Sequence, residues 1–142
     1  MKSVVASYRL THVGAMKALQ ACIDHANSIN APVTISICDA SGALMACCRM
    51  DGSFLLSLES SLNKAITAAA ISKPTGLGED MLSIKLGIAT FGRQTIGLKG
   101  GVPIIVNGQI VGGIGAGSAT GDQDREISIA GLKAIDGAQI DF

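Results

Sequence analysis

Tryptophan is absent from these 142 residues, and one tyrosine with three phenylalanines brings the aromatic content to only 3%. Large flat side chains, common in the walls of ligand pockets, are therefore nearly missing. Charge is scarce as well: 15% of residues are charged, and eleven basic groups balance eleven acidic ones. That balance offers no electrostatic footprint for nucleic acid or an anionic membrane surface. No run approaches the roughly 18 apolar residues needed to span a bilayer, and the N-terminus lacks a basic segment followed by an apolar one. The expectation is a soluble, cytoplasmic protein. The four cysteines, Cys22, Cys38, Cys47 and Cys48, show neither CxxC spacing nor a zinc framework with His12 and His25. They read as reduced thiols buried as small hydrophobes.

Apolar residues and glycine fill the space left by charge and aromatics. With 48% apolar residues in so small a chain, apolar surface exceeds what one core absorbs, and a homo-oligomer, at least a dimer, is the usual remedy. Half of the 18 glycines fall between Gly97 and Gly121, so the backbone there must approach something closely. Another strand, a neighbouring subunit or a ligand would each account for it. Within that stretch Asn107-Gly108, flanked by apolar β-branched runs, marks a hairpin, because a type I′ turn needs positive φ at both central residues.

The length fits one domain over residues 1–142. Thr11 can cap a helix running to about Ile29, with Met16, Leu19, Ile23 and Ala26 as its apolar stripe. Val33, Ile35 and Ile37 alternate with Thr34, Ser36 and Cys38, and beyond the Ala40-Ser41-Gly42 turn a second strand runs from Ala43 to about Arg49. After Asp51-Gly52 a helix places Leu55, Leu58, Leu62, Ile66 and Ala69 on one face and stops at Lys73-Pro74-Thr75-Gly76. A shorter helix is expected from Glu79 to Leu86, a weak strand near Thr95 to Leu98, then the glycine-rich hairpin. A last helix, from about Asp122 to Ile135, is capped by Thr120 or Asp122, with Ile127, Ala130 and Ile135 facing inward. Hairpins separated by helices predict an α/β (α+β) fold, an antiparallel sheet of about five strands covered on both faces.

Few motifs carry chemistry. Gly113-Ile114-Gly115-Ala116-Gly117 before a helix has the look of a dinucleotide loop, but Ser118 takes the third glycine position and acidic residues crowd the helix start where phosphate would sit. Arg49-Met50-Asp51-Gly52 ends a strand, with Lys64 on the following helix; Arg beside Asp can orient a carboxylate, and it can equally be a surface pair beside a turn. His12 and His25 stand about 140° apart around one helix at 100° per residue, so they cannot share a metal. Either His12 or Met50 has the chemistry of an axial haem ligand. No GxSxG elbow or other nucleophile motif is present.

Taken in order, Asp39-Ala40-Ser41-Gly42, Arg49-Met50-Asp51-Gly52, Lys64-Ala65-Ile66-Thr67-Ala68, Gly100-Gly101-Val102-Pro103-Ile104, and Gly112-Gly113-Ile114-Gly115 followed by Gln123-Asp124 resemble the GlcG/HbpS family. That family includes the C-terminal domain of PduO-type adenosyltransferases. The resemblance spans nearly the whole chain. It implies a profilin-like three-layer α/β/α fold with a five-stranded antiparallel sheet, homo-oligomers, haem binding in some members, and association with glycolate, diol or glycerol utilisation. The adenosyltransferase chemistry does not carry over, since these residues leave no room for that domain. Where many relatives read Val-Ser-Gly-Gly after the last strand, this chain reads Ala116-Gly117-Ser118-Ala119.

The resulting expectation is a non-catalytic binding protein for haem or a related small ligand, seated against Gly100, Gly101 and Pro103. Arg49 and Lys64 would pair its carboxylates, Asp51 and Asp124 would border it, and His12 would be the nitrogen ligand to iron. The alternative is an enzyme degrading haem or acting on a small oxygenated metabolite, with Lys64 or Asp124 as acid or base. A third reading is an accessory to a diol- or glycerol-processing enzyme.

Overall fold

The computed structural model describes residues 1–90 and 95–142. Four helices and four strands follow one another as α1 (His12–Ser28), β1 (Thr34–Asp39), β2 (Leu44–Arg49), α2 (Ser57–Ile71), α3 (Asp80–Ala89), β3 (Gly101–Val106), β4 (Gln109–Gly117) and α4 (Gly121–Lys133). The sheet is antiparallel throughout, in the order β2-β1-β4-β3. The described residues thus form four strands where five were expected. Thr95–Leu98 is the missing one: the Ile96 amide donates to the Thr67 hydroxyl and the Leu98 carbonyl accepts from the Thr75 hydroxyl, leaving no ladder to join. Thr75 also occupies the outer edge of β3, donating its amide to the Gly101 carbonyl and accepting from the Gly101 amide.

Turn and cap chemistry follows the sequence closely. Asn107 and Gly108 take φ of 49° and 74°, the left-handed pair that a type I′ turn requires. Thr11 caps α1 by accepting from the Gly14 amide, and Thr120 with Gln123 forms a reciprocal capping box on α4. Pro103 is tolerated in β3 because its outward neighbours on that edge strand, Gly101 and Ile105, present their carbonyls to Thr75 and Gln139; the amide that proline lacks would have pointed away from β4.

The two faces of the sheet are built differently. Between the sheet and the α1–α4 layer lie Val33, Ile35, Ile37, Val102, Ile104 and Ile114 of the strands and their approach, with Ile127 and Leu132 of α4, all fully buried. The α1 side of this layer is rotated from the expected stripe: Ala15, Ala18, Leu19, Cys22 and Ala26 are buried while Met16 is 54% exposed. The cause is close approach, since a Cβ on Gly131 of α4 would stand 2.5 Å from the Cys22 sulfur.

Across the sheet, α2 turns Ser57, Ser61, Lys64, Ala65 and Ala68 inward and leaves Leu58 40% exposed, with Leu55 just before the helix 68% exposed. The expected leucine face is a flank instead. Gly113, Gly115 and Gly117 point at this helix; a Cβ at Gly113 would lie 2.2 Å from the Ala65 carbonyl oxygen, and one at Gly115 2.0 Å from that of Ser61. Only small residues fit between backbones so close, and the glycine-rich run therefore serves an intrachain helix. Hydroxyls bridge the remaining gap, Thr34 to Ser57 at 2.6 Å and Ser36 to Ser61 at 2.7 Å, so the alternation in β1 is apolar towards α1 and hydroxyl towards α2.

Candidate functional site

Cysteine placement corrects one expectation and supports another. All four thiols are free, but Cys47 is exposed and Cys48 half-buried; Cys22 and Cys38 alone are buried. Burial pushes the Cys22 thiol up to about 12 and the Cys38 thiol up to about 11, in each case against a backbone hydrogen bond. Because thiolate is the reacting form, a thiol reagent at neutral pH is expected to label two cysteines in the native protein and four after denaturation. Rapid labelling of all four before unfolding would contradict the burial.

The residues singled out from the sequence separate into three places. Lys64 is the first. Its ammonium, on α2, donates to the Asp124 carboxylate at 2.9 Å and to the Ala116 carbonyl at 2.9 Å, while Asp124 also accepts from the Ala119 amide. Both side chains are at most 5% exposed. Burial raises the Asp124 carboxyl above its ordinary value, with the lysine pulling it back. Gly100, at φ 128°, gives this pair its room: a Cβ there would meet Asp124 at 2.7 Å and the Lys64 ammonium at 3.0 Å. Gly100, Gly101 and Pro103 are buried as well, and Ser128 donates to the Gly100 carbonyl. The cluster is buried and its polar groups are spent on one another, so Lys64 and Asp124 brace α2 and α4 across the β3/β4 end.

Arg49 and Asp51 form the second place. Both are exposed, and with Asn27, Asn30, Cys48 and Met50 they line an open cleft of about 500 Å³ between the C-terminal end of α1 and the end of β2. Chemically the cleft joins a guanidinium, two amides and a carboxylate at its rim to a thioether and a thiol. It can orient an anionic group and offers sulfur to a soft metal.

His12, the third, is exposed at the first turn of α1. Fifteen residues separate it from Asn27, about 22 Å at 1.5 Å per residue, so within one chain it lies too far from Arg49 for one haem's iron and propionate. His25 is engaged elsewhere, 3.0 Å from Glu126 of α4. Among the described residues no three His, Cys, Asp or Glu side chains converge as a metal site, and no helix is long and apolar enough to cross a membrane.

The order of strands and the small-residue α2 layer accompany a match to the family described as haem degrading protein HbpS-like, over residues 10–133. The chain belongs to the HbpS-like family. A Citrobacter freundii relative, described as an uncharacterised 15.0 kDa protein of the dhaT-dhaS intergenic region, is 33% identical over 129 residues, covering 87% of this chain and 89% of its own. Streptomyces reticuli HbpS, solved as a double mutant, shares 30% identity with a TM-score of 0.79 over 92% of this chain and 89% of that one. The complex of PduOC with haem superposes with a TM-score of 0.84 over 95% and 100% of the two chains; at 24% identity this likeness speaks for the fold. The motifs of the sequence point to the family but not to the Lys64–Asp124 pairing, since two residues 60 positions apart give no local signal of it. Nor do they point to Asn27 and Asn30 as neighbours of Arg49, which only the docking of α1 on β2 brings there.

Proposed function

We propose that this HbpS-like chain is a binding protein for haem or a related anionic tetrapyrrole, held in the Arg49–Met50–Asp51 cleft. The observation that carries this reading is the cleft itself: an exposed cation beside sulfur side chains, in a volume within the range of small-molecule sites. Arg49 would hold a propionate and Met50 is the side chain in the cleft suited to iron, in place of His12. Binding without turnover is favoured because the two groups expected to act as acid and base, Lys64 and Asp124, are spent on each other away from solvent. Catalysis has its own support in the family's description as haem degrading. An accessory role in diol or glycerol use rests on the family resemblance alone.

Haem titration followed by absorption separates these readings. Charge-assisted hydrogen bonds to a carboxylate are worth about 1.5–3 kcal/mol, so Arg49→Ala should weaken binding about tenfold or more with an unchanged Soret band. Met50→Ala should shift that band, and His12→Ala should not. Loss of the Soret band with a reductant and oxygen, at a rate above free haem, would mark a degrading enzyme. Unaltered affinity in Arg49→Ala would remove the cleft as the site.

A further inference from the structure

The two edges of the sheet are treated differently. β3 is covered, by Thr75 at one end and by a bridge from Val106 to Ala138 at the other, with Pro103 between. β2 has no such cover among the described residues: its only strand partner is β1. Met50 donates its amide to the Val33 carbonyl, and Ile35 stands opposite Cys48 and Ser36 opposite Cys47. Backbone polarity alternates along an antiparallel strand. Hence Met50 and Cys48 direct their backbone groups to β1, and Arg49 and Cys47 direct theirs outward, unpaired. Among the described residues a bulge at the Leu44 end and the charge of Arg49 at the other blunt this edge, and the stretch between them is bare.

We propose that β2 pairs with β2 of a second copy, antiparallel about a two-fold axis through Cys47, joining the two sheets into one of eight strands. Outward-pointing residues oppose one another in such a pair, so Cys47 meets the partner's Cys47 while Arg49 meets the partner's Leu44–Met45 bulge. The two Arg49 side chains then stand four residues apart along the strands, about 14 Å and beyond the screening length at physiological salt; no like charges collide. A strand edge alone falls short of the ~800 Å² that each side of a stable interface covers. The balance is at hand, because antiparallel pairing delivers the partner's turn and its Leu44, here 52% exposed, to the end of β2 where Phe54, Leu55 and Leu56 stand 72%, 68% and 73% exposed.

The geometry supplies its own probe. A hydrogen-bonded antiparallel pair sets opposed Cα atoms about 5.5 Å apart, inside the range a disulfide accepts. With diamide as oxidant, taking up the two electrons and two protons that two thiols release, a covalent dimer of twice 14.4 kDa should form in the wild type and in Cys48→Ser but not in Cys47→Ser. Cys47→Pro deletes an outward amide without touching the β1 ladder, so sedimentation at micromolar concentration should show its assembly halved in size while its circular dichroism stays native. A wild type that sediments as a monomer, cross-linking as efficient through Cys48, or a Cys47→Pro variant of unchanged size would each overturn the proposal.

Discussion

Lys64→Met is expected to cost about 3–5 kcal/mol of unfolding free energy, Asp124→Leu as much, and the two together far less than their sum. Each single change leaves a charge in the interior with its partner gone, and neither side chain is more than 5% exposed. In the double variant no buried charge remains, and such replacements are commonly neutral or stabilising. The pH dependence has a definite sign. Asp124 has its carboxyl raised, chiefly by burial, so the folded chain holds that proton more readily than the unfolded one. Its contribution is complete below the ordinary carboxylate range and is lost as pH rises through the folded value. Stability of the wild type should therefore fall with rising pH across that window by an amount the double variant lacks. Urea denaturation of the four proteins at several pH values measures both effects; additive costs in the double variant would show that the pair is not coupled.

The second large effect is steric. Gly113→Val should cost at least about 3 kcal/mol, at the upper end of what overpacking does, and lower the melting temperature by about 10 °C in a chain of this size. Its Cβ would fall 2.2 Å from the Ala65 carbonyl oxygen, and at Gly101 the Lys64 carbonyl oxygen is 2.3 Å away, so Gly101→Val should behave alike. These neighbours are helix backbone, which cannot swing aside as a side chain does. Gly78→Ala is the control, with nothing within 4 Å of its Cβ and no positive φ. Melting curves for Gly113→Val that match the wild type would mean that α2 is free to lift from the sheet.

What could be read from the sequence was whatever is encoded over a few residues. Asn107-Gly108, Thr11 and Thr120 act through neighbours one to three positions away, so their roles were legible and the structure repeats them. The choice of face on α2 was not, because hydrophobic periodicity ranks Leu58 and Leu62 above Ser57 and Ser61. The ranking fails where the opposing strand is glycine and the distance between backbones, rather than apolar area, selects the side chain. The same holds for the site. Arg49-Met50-Asp51 is contiguous and kept its neighbourhood, whereas Lys64, Asp124 and His12 were joined to it by chemical plausibility alone, and tertiary structure places them elsewhere. Thr95 to Leu98 reads as a weak strand, but Thr75 already occupies the edge it would need.

The contrast between the two faces of the sheet bears on how such a chain can change over generations. On the α1 and α4 side, isoleucines, leucines and valines interlock, and a methylene lost at one position can be regained at another. On the α2 side there is little to trim: Gly113, Gly115, Gly117, Ala65 and Ala68 are already at or near the smallest side chain available. Every substitution at those three glycines adds atoms, and at Gly113 and Gly115 the atoms first met are helix backbone, which holds no bulk to surrender in exchange. Sequence drift is thus open in both directions on one face of the sheet and closed in both on the other, so that novelty on the α2 side must arise on its outer surface, where the leucines are.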